Sequence, residues 1–355
     1  MSNPEQHPVE TICRAAVGTQ GVEILEPREV PLGGLRAMPV RRTLPQRRRS
    51  LIGAWCFLDH YGPDDVAVTG GMNVPAHPHT GLQTVSWLFS GEIEHRDSAG
   101  FHALVRPGEL NLMTAGHGIS HSERSTPRTT VLHGAQLWVA LPEHARGGPK
   151  TFEHYAPPVR RGEGWTAQVF LGSLLGEHSP VEAHTPLLGA ELRLAPGAEL
   201  SVPVDAGFEH GVLLDTGELG IVRISGDPDA EEETASIAPA ELAFVPAGAA
   251  AIRLRAGGLG ARLLLLGGEP MADQIVMWWN FIGRSHEDIA RARADWQAQI
   301  AAVGVADVTP EGHPAPAASA AAPVDGDRFG LPDGEPEPPL PAPPLPIARL
   351  VPRTR

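Results

Sequence analysis

Four side chains in the first half of this sequence have the chemistry to hold a metal ion. His77 and His79 stand two apart in A-H-P-H-T-G-L-Q-T-V (76–85), and His121 and Glu123 stand two apart in G-I-S-H-S-E-R (118–124). Side chains two apart leave the same face of an extended strand, so each doublet can aim two donors at one point. If the two strands lie side by side, the four donors converge. Three imidazoles and a carboxylate leave about two positions of an octahedral ion open, which describes a reactive centre rather than a structural plug. These ligand types admit iron, manganese, nickel, copper or zinc without choosing among them. One His-x-His doublet alone is a weak signal, because histidines are common at strand ends. The second doublet, with strand and turn chemistry between the two, is what gives the pattern weight.

The elements needed to position the doublets are legible around them. Thr84 to Phe89 alternates and is β-prone, while Ser90-Gly91-Glu92, Arg106-Pro107-Gly108 and Ala115-Gly116 are turn punctuation. From 131 to 142 the pattern is that of a two-sided strand, with Ala135, Leu137, Val139 and Leu141 on one face and Gln136, Trp138 and Ala140 on the other. Trp87 or Trp138 could wall a substrate pocket, although core packing accounts for each taken singly. Trp55 to Tyr61 is an apolar strand with polar groups at its end, expected mostly in the core. Arg36, Arg41, Arg42, Arg47, Arg48 and Arg49 form a basic cluster without interleaved aromatic residues and are expected in a solvated loop.

The pattern then begins again. Glu241 to Arg255 can be laid on Glu109 to Glu123 without a gap, placing Gly248 on Gly116, Arg253 on His121 and Arg255 on Glu123. Upstream, 203 to 219 matches the segment from His77 to Ile93, with Pro203 in the place of His77 and Asp205 in that of His79. The chain therefore reads as two copies of one β-unit, of which only the first keeps ligands, since a guanidinium has donors and no lone pair for a cation. From Ser285 the period changes: Ser285 is an N-cap candidate, and Ile289, Ala292, Trp296 and Ile300 follow at helical spacing, predicting one amphipathic helix over 285–302. Residues 303–325, rich in Ala, Pro and Gly, are expected to form a flexible linker. The Pro-rich end, 326–355, carries Leu340, Leu345, Ile347 and Leu350 as anchors for docking on the body.

Composition bounds the function. At 355 residues there is ample material for two domains. A net charge of -14, from 42 acids and 28 bases, argues against nucleic acid or an anionic membrane as the main partner. Two cysteines, Cys13 and Cys56, are too few for a disulfide framework and are expected reduced and buried. The first ten residues lack the cationic start and apolar core of a signal peptide, and the aliphatic runs are too short to span a bilayer, so a cytoplasmic protein is expected.

These motifs resemble those of the pirin family, two-domain β-barrel proteins of the cupin superfamily. The block H-P-H-x-G-[hydrophobic]-x-T-V is present as His77 to Val85, M-T-A-G-x-G-I-x-H-[S/A]-E as Met113 to Glu123, Q-L-W-V-x-L as Gln136 to Leu141, and a late G-G-E-P at 267–270. The resemblance spans roughly residues 25 to 302. It implies an all-β fold of two tandem cupin (jelly-roll, double-stranded β-helix) barrels with one C-terminal helix. The domains would be a metal-binding barrel at 1–160, a barrel without metal at 161–284, and the helix at 285–302. It further implies one divalent ion, Fe(2+), held by His77, His79, His121 and Glu123, with Gln83 beside the ligands or lining the pocket where many cupins have a ligating Glu. The implied activity resembles quercetin 2,3-dioxygenase: O2-dependent cleavage of a flavonol or a related small aromatic enol, with Glu123 accepting the hydroxyl proton. The alternative is a metal- or redox-dependent regulator acting through a protein partner. A cupin sugar isomerase ranks below both, because no phosphate-binding set lies beside the ligands.

Overall fold

The computed structural model describes residues 11–13, 21–32, 38–226, 232–307, 328–346 and 350. Most of the expected linker, residues 308–325, lies outside the described residues, as do Ile347 and Arg36. The fold is all-β, with two cupin barrels and one C-terminal helix, as the motifs imply.

The first barrel is closed by two antiparallel sheets. One orders the strands Thr151–Tyr155, Leu110–Thr114, Leu82–Ser90, Val131–Ala140, Trp55–Asp65, Met38–Leu44 and Arg28–Leu32. The other orders Asn73–His79, Ile119–Ser125, Ile93–Asp97 and His102–Val105. The second barrel is built on one nine-stranded sheet in which the long strands Glu209–Ser225 and Ala249–Gly268 pair along most of their length. A strand expected with the first domain, Glu23–Leu25, pairs instead with Leu242–Val245 of the second barrel. It covers what would otherwise be an open sheet edge.

The inward faces of the barrels differ. In the second, Val202, Leu214, Ile221, Ile252, Leu254 and Leu263 belong to one continuous apolar cluster. In the first, two smaller clusters, around Val40 and Leu132 and around Met113 and Ile119, leave room between them for buried polar groups. The largest apolar cluster lies where the barrels meet, with Trp55, Leu58, Val85 and Leu137 from one and Leu213, Phe244 and Leu264 from the other. Within it Trp87 stacks on Phe170 with centroids 4.6 Å apart and donates its Nε1–H to Glu191, 2.7 Å away. Trp87 is therefore a joint between barrels.

The duplication needs one correction. The gapless sequence match puts Arg253 and Arg255 where His121 and Glu123 stand, but both arginines face outward, paired with Glu199 and Glu232. The inward side chains of that strand are their neighbours Ile252 and Leu254, and Val202 rather than Pro203 points in from the facing strand. A slip of one residue moves every side chain of a strand to the opposite face, which a sequence match without a gap cannot register.

The helix runs His286–Ala301, with the Ser285 side chain accepting from Asp288 N and Ile289, Ala292, Trp296 and Ile300 buried. The C-terminal segment packs on it and continues over the first barrel. Phe329, Ala342 and Leu350 are buried beside Trp296, and Leu340 N donates to the Ala76 carbonyl at 2.8 Å. The arginine cluster also departs from the expected loop. Arg42 is 2% exposed and forks onto Asp59 at 2.6 and 2.8 Å, while Arg49 is buried over the Phe244 ring and reaches Glu23. Only a planar fork with a buried carboxylate or aromatic face makes such burial tolerable. Cys56 is buried, in no disulfide, with its Sγ 3.5 Å from the Trp138 carbonyl; the Cys13 side chain is outside the described residues.

Candidate metal centre

His77 and His79 end the Asn73–His79 strand and His121 lies mid-strand in Ile119–Ser125. The pairing sets His121 directly opposite His77. Two glycine turns hold the strand ends. Gly81, at φ +67°, follows His79, and Gly116, at φ +52°, precedes the His121 strand; its amide partner is shared, Gly81 N donating to Gly116 O at 3.0 Å. A Cβ on Gly116 would lie 2.2 Å from the Gly148 carbonyl, so only glycine fits there.

The three rings meet in the barrel interior, with one nitrogen of each within 4.8 Å of the others. His79 Nε2 and His121 Nε2 face each other at 3.0 Å, and His77 Nε2 is buried without a hydrogen-bond partner. Two ring nitrogens this close share a proton between them or, with both in the Nδ1–H tautomer, a cation. The outer nitrogen of His77 is fixed by the backbone: His77 Nδ1 donates to the Pro75 carbonyl at 2.9 Å, which leaves its Nε2 as the lone-pair nitrogen. Burial, with mutual repulsion behind it, pushes His79 and His121 well below the ordinary histidine range, and burial does the same for His77. All three are thus neutral near pH 7, the form that ligates.

Glu123 is buried but does not join that trio. A register shift between His121 and Glu123 in the pairing with Asn73–His79 displaces it, and its carboxylate groups instead with His121 and His95. Ser86 Oγ lies 3.4 Å from Glu123 Oε1 and 2.9 Å from Gln136 Oε1, so its one hydroxyl proton serves one of these two acceptors at a time. Gln83 is buried, its Nε2 donating to Thr114 Oγ1 at 2.9 Å and its Oε1 unpartnered. Trp138 sets its edge against His79, centroids 5.2 Å apart, and stacks on Phe57 at 4.0 Å.

Several participants escaped the sequence reading. His95 Nδ1 lies 3.3 Å from His121 Nδ1, and His95 Nε2 lies 3.2 Å from Asp97, whose other oxygen accepts the Ala99 and Phe101 amides. A proton on His121 Nδ1 can therefore be donated to His95 Nδ1, with the His95 Nε2 proton on Asp97, which keeps His121 Nε2 free to ligate. The available signal was the alternation His95-x-Asp97 on the neighbouring strand, where Asp97 pairs with His121 and His95 with Glu123. Tyr61 is buried with its hydroxyl unpartnered, and burial, then the charge of Glu123, raises its pKa well above the phenol range. Its hydroxyl stays a proton donor.

Two family models match the chain: Pirin over residues 37–139 and the Pirin C-terminal cupin domain over 189–301. The chain belongs to the pirin family. Among its relatives, a Pseudomonas aeruginosa protein named "Putative quercetin 2,3-dioxygenase PA1205" is 42% identical over 281 residues, covering 79% of this chain and 85% of the relative. Human pirin is 30% identical over 227 residues, covering 63% and 76%. A crystal structure titled quercetin 2,3-dioxygenase from Acinetobacter baumannii superposes with a TM-score of 0.75 at 35% identity, covering 92% of this chain and 97% of that one. The Escherichia coli pirin YhhW, solved in complex with nickel(II), matches with a TM-score of 0.52 at 18% identity, which bears on fold alone. No helix among the described residues of this pirin is long and apolar enough to cross a membrane.

Proposed function

We propose that this pirin is an O2-dependent dioxygenase that cleaves flavonols or related small aromatic enols, using one divalent iron in the first barrel. The observation that carries the reading is the trio of buried imidazoles turned toward one another in the barrel interior. His77, His79 and His121 would hold the ion, and Glu123, displaced by the bulge, would complete the set by a short movement of its carboxylate. The ion would supply positive charge that acidifies an enol hydroxyl and a centre where O2 and substrate are brought together. Glu123 would then take the hydroxyl proton, with the Ser86 hydroxyl beside it able to bond either Glu123 or Gln136. The His121–His95–Asp97 chain fixes the ring of His121 against rotation. Gln83 Oε1, with no partner of its own, is available to accept from substrate. The names of the Pseudomonas aeruginosa and Acinetobacter baumannii relatives support the same chemistry, and a cytoplasmic setting would suit it.

A second reading, a metal- or redox-dependent regulator that binds a protein partner, is favoured by one observation: each of the four ligand candidates is at most 1% exposed. A cavity of about 350 Å³ lies beside the ligand strands, lined by Thr80, Gly81, His117, Arg146 and Arg291 among others, but by none of the four.

Iron loading under anaerobic conditions, followed by O2 uptake with quercetin, tests the proposal. Wild type should consume O2 with loss of the flavonol, and His121→Ala should fall to the background of free iron. Equal uptake by both proteins would remove the enzyme reading and leave the regulator.

A further inference from the structure

Outside the candidate centre, a second set of ligand-type side chains meets at the joint between the barrels. His60, from Trp55–Asp65, and His133, from Val131–Ala140, come from the first barrel; Asp215, from Glu209–Ser225, comes from the second. One ligand atom of each lies within 4.8 Å of the others. His60 Nε2 and His133 Nε2 are each 2.7 Å from the same carboxylate oxygen, Asp215 Oδ1. All three side chains are buried, His133 being 5% exposed and the others less.

Two irregularities aim these groups at one another. His133 sits at a register shift in its pairing with Leu82–Ser90, and Asp215 is the extra residue where the pairing skips from Leu214 to Thr216. Bulges re-aim side chains; here one in each barrel turns a ligand type into the joint.

Hydrogen bonding alone accounts for only part of the arrangement. His60 Nε2 is aligned with Asp215 Oδ1, leaving its Nδ1 buried without a partner. His133 Nε2 is buried at the same distance from that oxygen, a close contact with the shared carboxylate that lacks the alignment of the His60 bond. The other oxygen of Asp215 is taken by Arg262 Nε. An arginine on the outer oxygen of a carboxylate leaves the inner one as the free donor and orients it. Arg262 also brings Nη2 to 3.3 Å from His133 Nδ1; with 20% of its side chain exposed, it can turn that nitrogen to solvent when Nδ1 carries the proton. The Phe89 ring, 5.0 Å from His133 and under the Arg262 guanidinium, shields the site on one side.

We propose that His60, His133 and Asp215 form a second metal site, which takes a divalent cation of the zinc class and links the two barrels. Two imidazoles and one carboxylate are a donor set that zinc accepts, with a fourth position left for water. Tetrahedral zinc–nitrogen bonds of about 2.1 Å set neighbouring ligand atoms roughly 3.3 Å apart, so the two nitrogens need only back away from Oδ1 by about half an ångström.

The full chain, stripped with a chelator, reloaded with zinc alone and desalted, tests this by metal analysis and thermal melting. Wild type should retain two equivalents, Asp215→Asn one, and the double variant His77→Ala/His121→Ala one, which adding Asp215→Asn removes. Zinc should raise the melting temperature of the double variant and leave that of the triple variant unchanged. His133→Gln, a milder change, should repeat the loss of one equivalent if Asp215→Asn folds poorly. A double variant that binds no zinc would overturn the second site, as would equal zinc content in wild type, Asp215→Asn and His133→Gln. Zinc lost with Asp215→Asn but unaffected by His77→Ala/His121→Ala would uphold it while removing the first centre.

Discussion

The two barrels are copies of one unit with opposite interiors. In the first, His121 faces His77 across a strand pair; in the second, the inward pair is Ile252 facing Val202. Around the histidines, Tyr61 Oη, Gln83 Oε1, Gln136 Nε2 and Trp138 Nε1 are also buried without partners, whereas around Ile252 the lining is aliphatic. Buried polar groups without partners cost stability. The first barrel therefore holds its donors at the expense of its own cohesion, and the second, packed like an ordinary core, supplies a rigid body through the joint at Trp87 and Glu191. The difference teaches that one copy of the duplicated architecture can keep a polar interior while the other packs its core mainly with aliphatic side chains.

The most severe test sets His121→Ala against Arg253→Ala, the two positions that the sequence match equates. The first should abolish ion retention in the barrel; the second should leave metal content unchanged and cost no more than about 1 kcal/mol, because its ion pairs are at the surface. Metal analysis with urea unfolding checks both. Equal metal loss in the two variants would end the distinction between barrels.

Next in size is Ile252→Ala. Removing a fully buried side chain from the second core should cost about 2–5 kcal/mol in urea unfolding, with the metal content of the folded protein unchanged. A cost below about 1 kcal/mol would mean that this interior is as loosely packed as the first.

How much of this contrast was legible beforehand follows from parity. The doublets His77/His79 and His121/Glu123 announced one face of two strands, and the fold bears out the two barrels and the one C-terminal helix, capped by Ser285. The slip that turns Arg253 outward was not legible, because a match of letters carries no information about which face a strand presents. The same limit hid the displacement of Glu123, which depends on a bulge. It also hid the His60, His133 and Asp215 cluster, whose members are distant in sequence and belong to different barrels. Arg42 and Arg49 were misplaced for a related reason: Asp59 and Phe244, the groups that make their burial possible, lie elsewhere in the chain.

A pH series sharpens the comparison further. In the second barrel, burial lowers His210 to about 4. Above pH 6.5 it is neutral folded or unfolded. Between about 6.5 and 4 the unfolded chain takes up a proton that the folded chain refuses, so stability falls with acid across that window, by about 3 kcal/mol at its lower end. His210→Gln should remove that share of the pH dependence, read as a flatter plot of unfolding free energy between pH 6.5 and 4. A slope identical to wild type would show that the ring protonates freely within the fold.

The smallest expected effect concerns what backs each ligand strand. In the first barrel the outward residues of Ile119–Ser125 grip the C-terminal segment: Ser120 Oγ donates to the Gly330 carbonyl at 2.6 Å, and Ser122 Oγ and Arg124 Nη2 donate to the two oxygens of Glu335 at 2.5 and 2.6 Å. Ser122 stands between His121 and Glu123, so the same strand holds the tail on one face and ligand candidates on the other. Glu335→Gln weakens a charge-assisted pair at a partly buried site and should cost about 1 kcal/mol. Because the lost contact lies on the strand that carries His121, the variant should also lose the first-barrel ion to a competing chelator faster than wild type. Ion loss at the wild-type rate, with the stability cost present, would show that the tail supports the barrel without positioning its ligands.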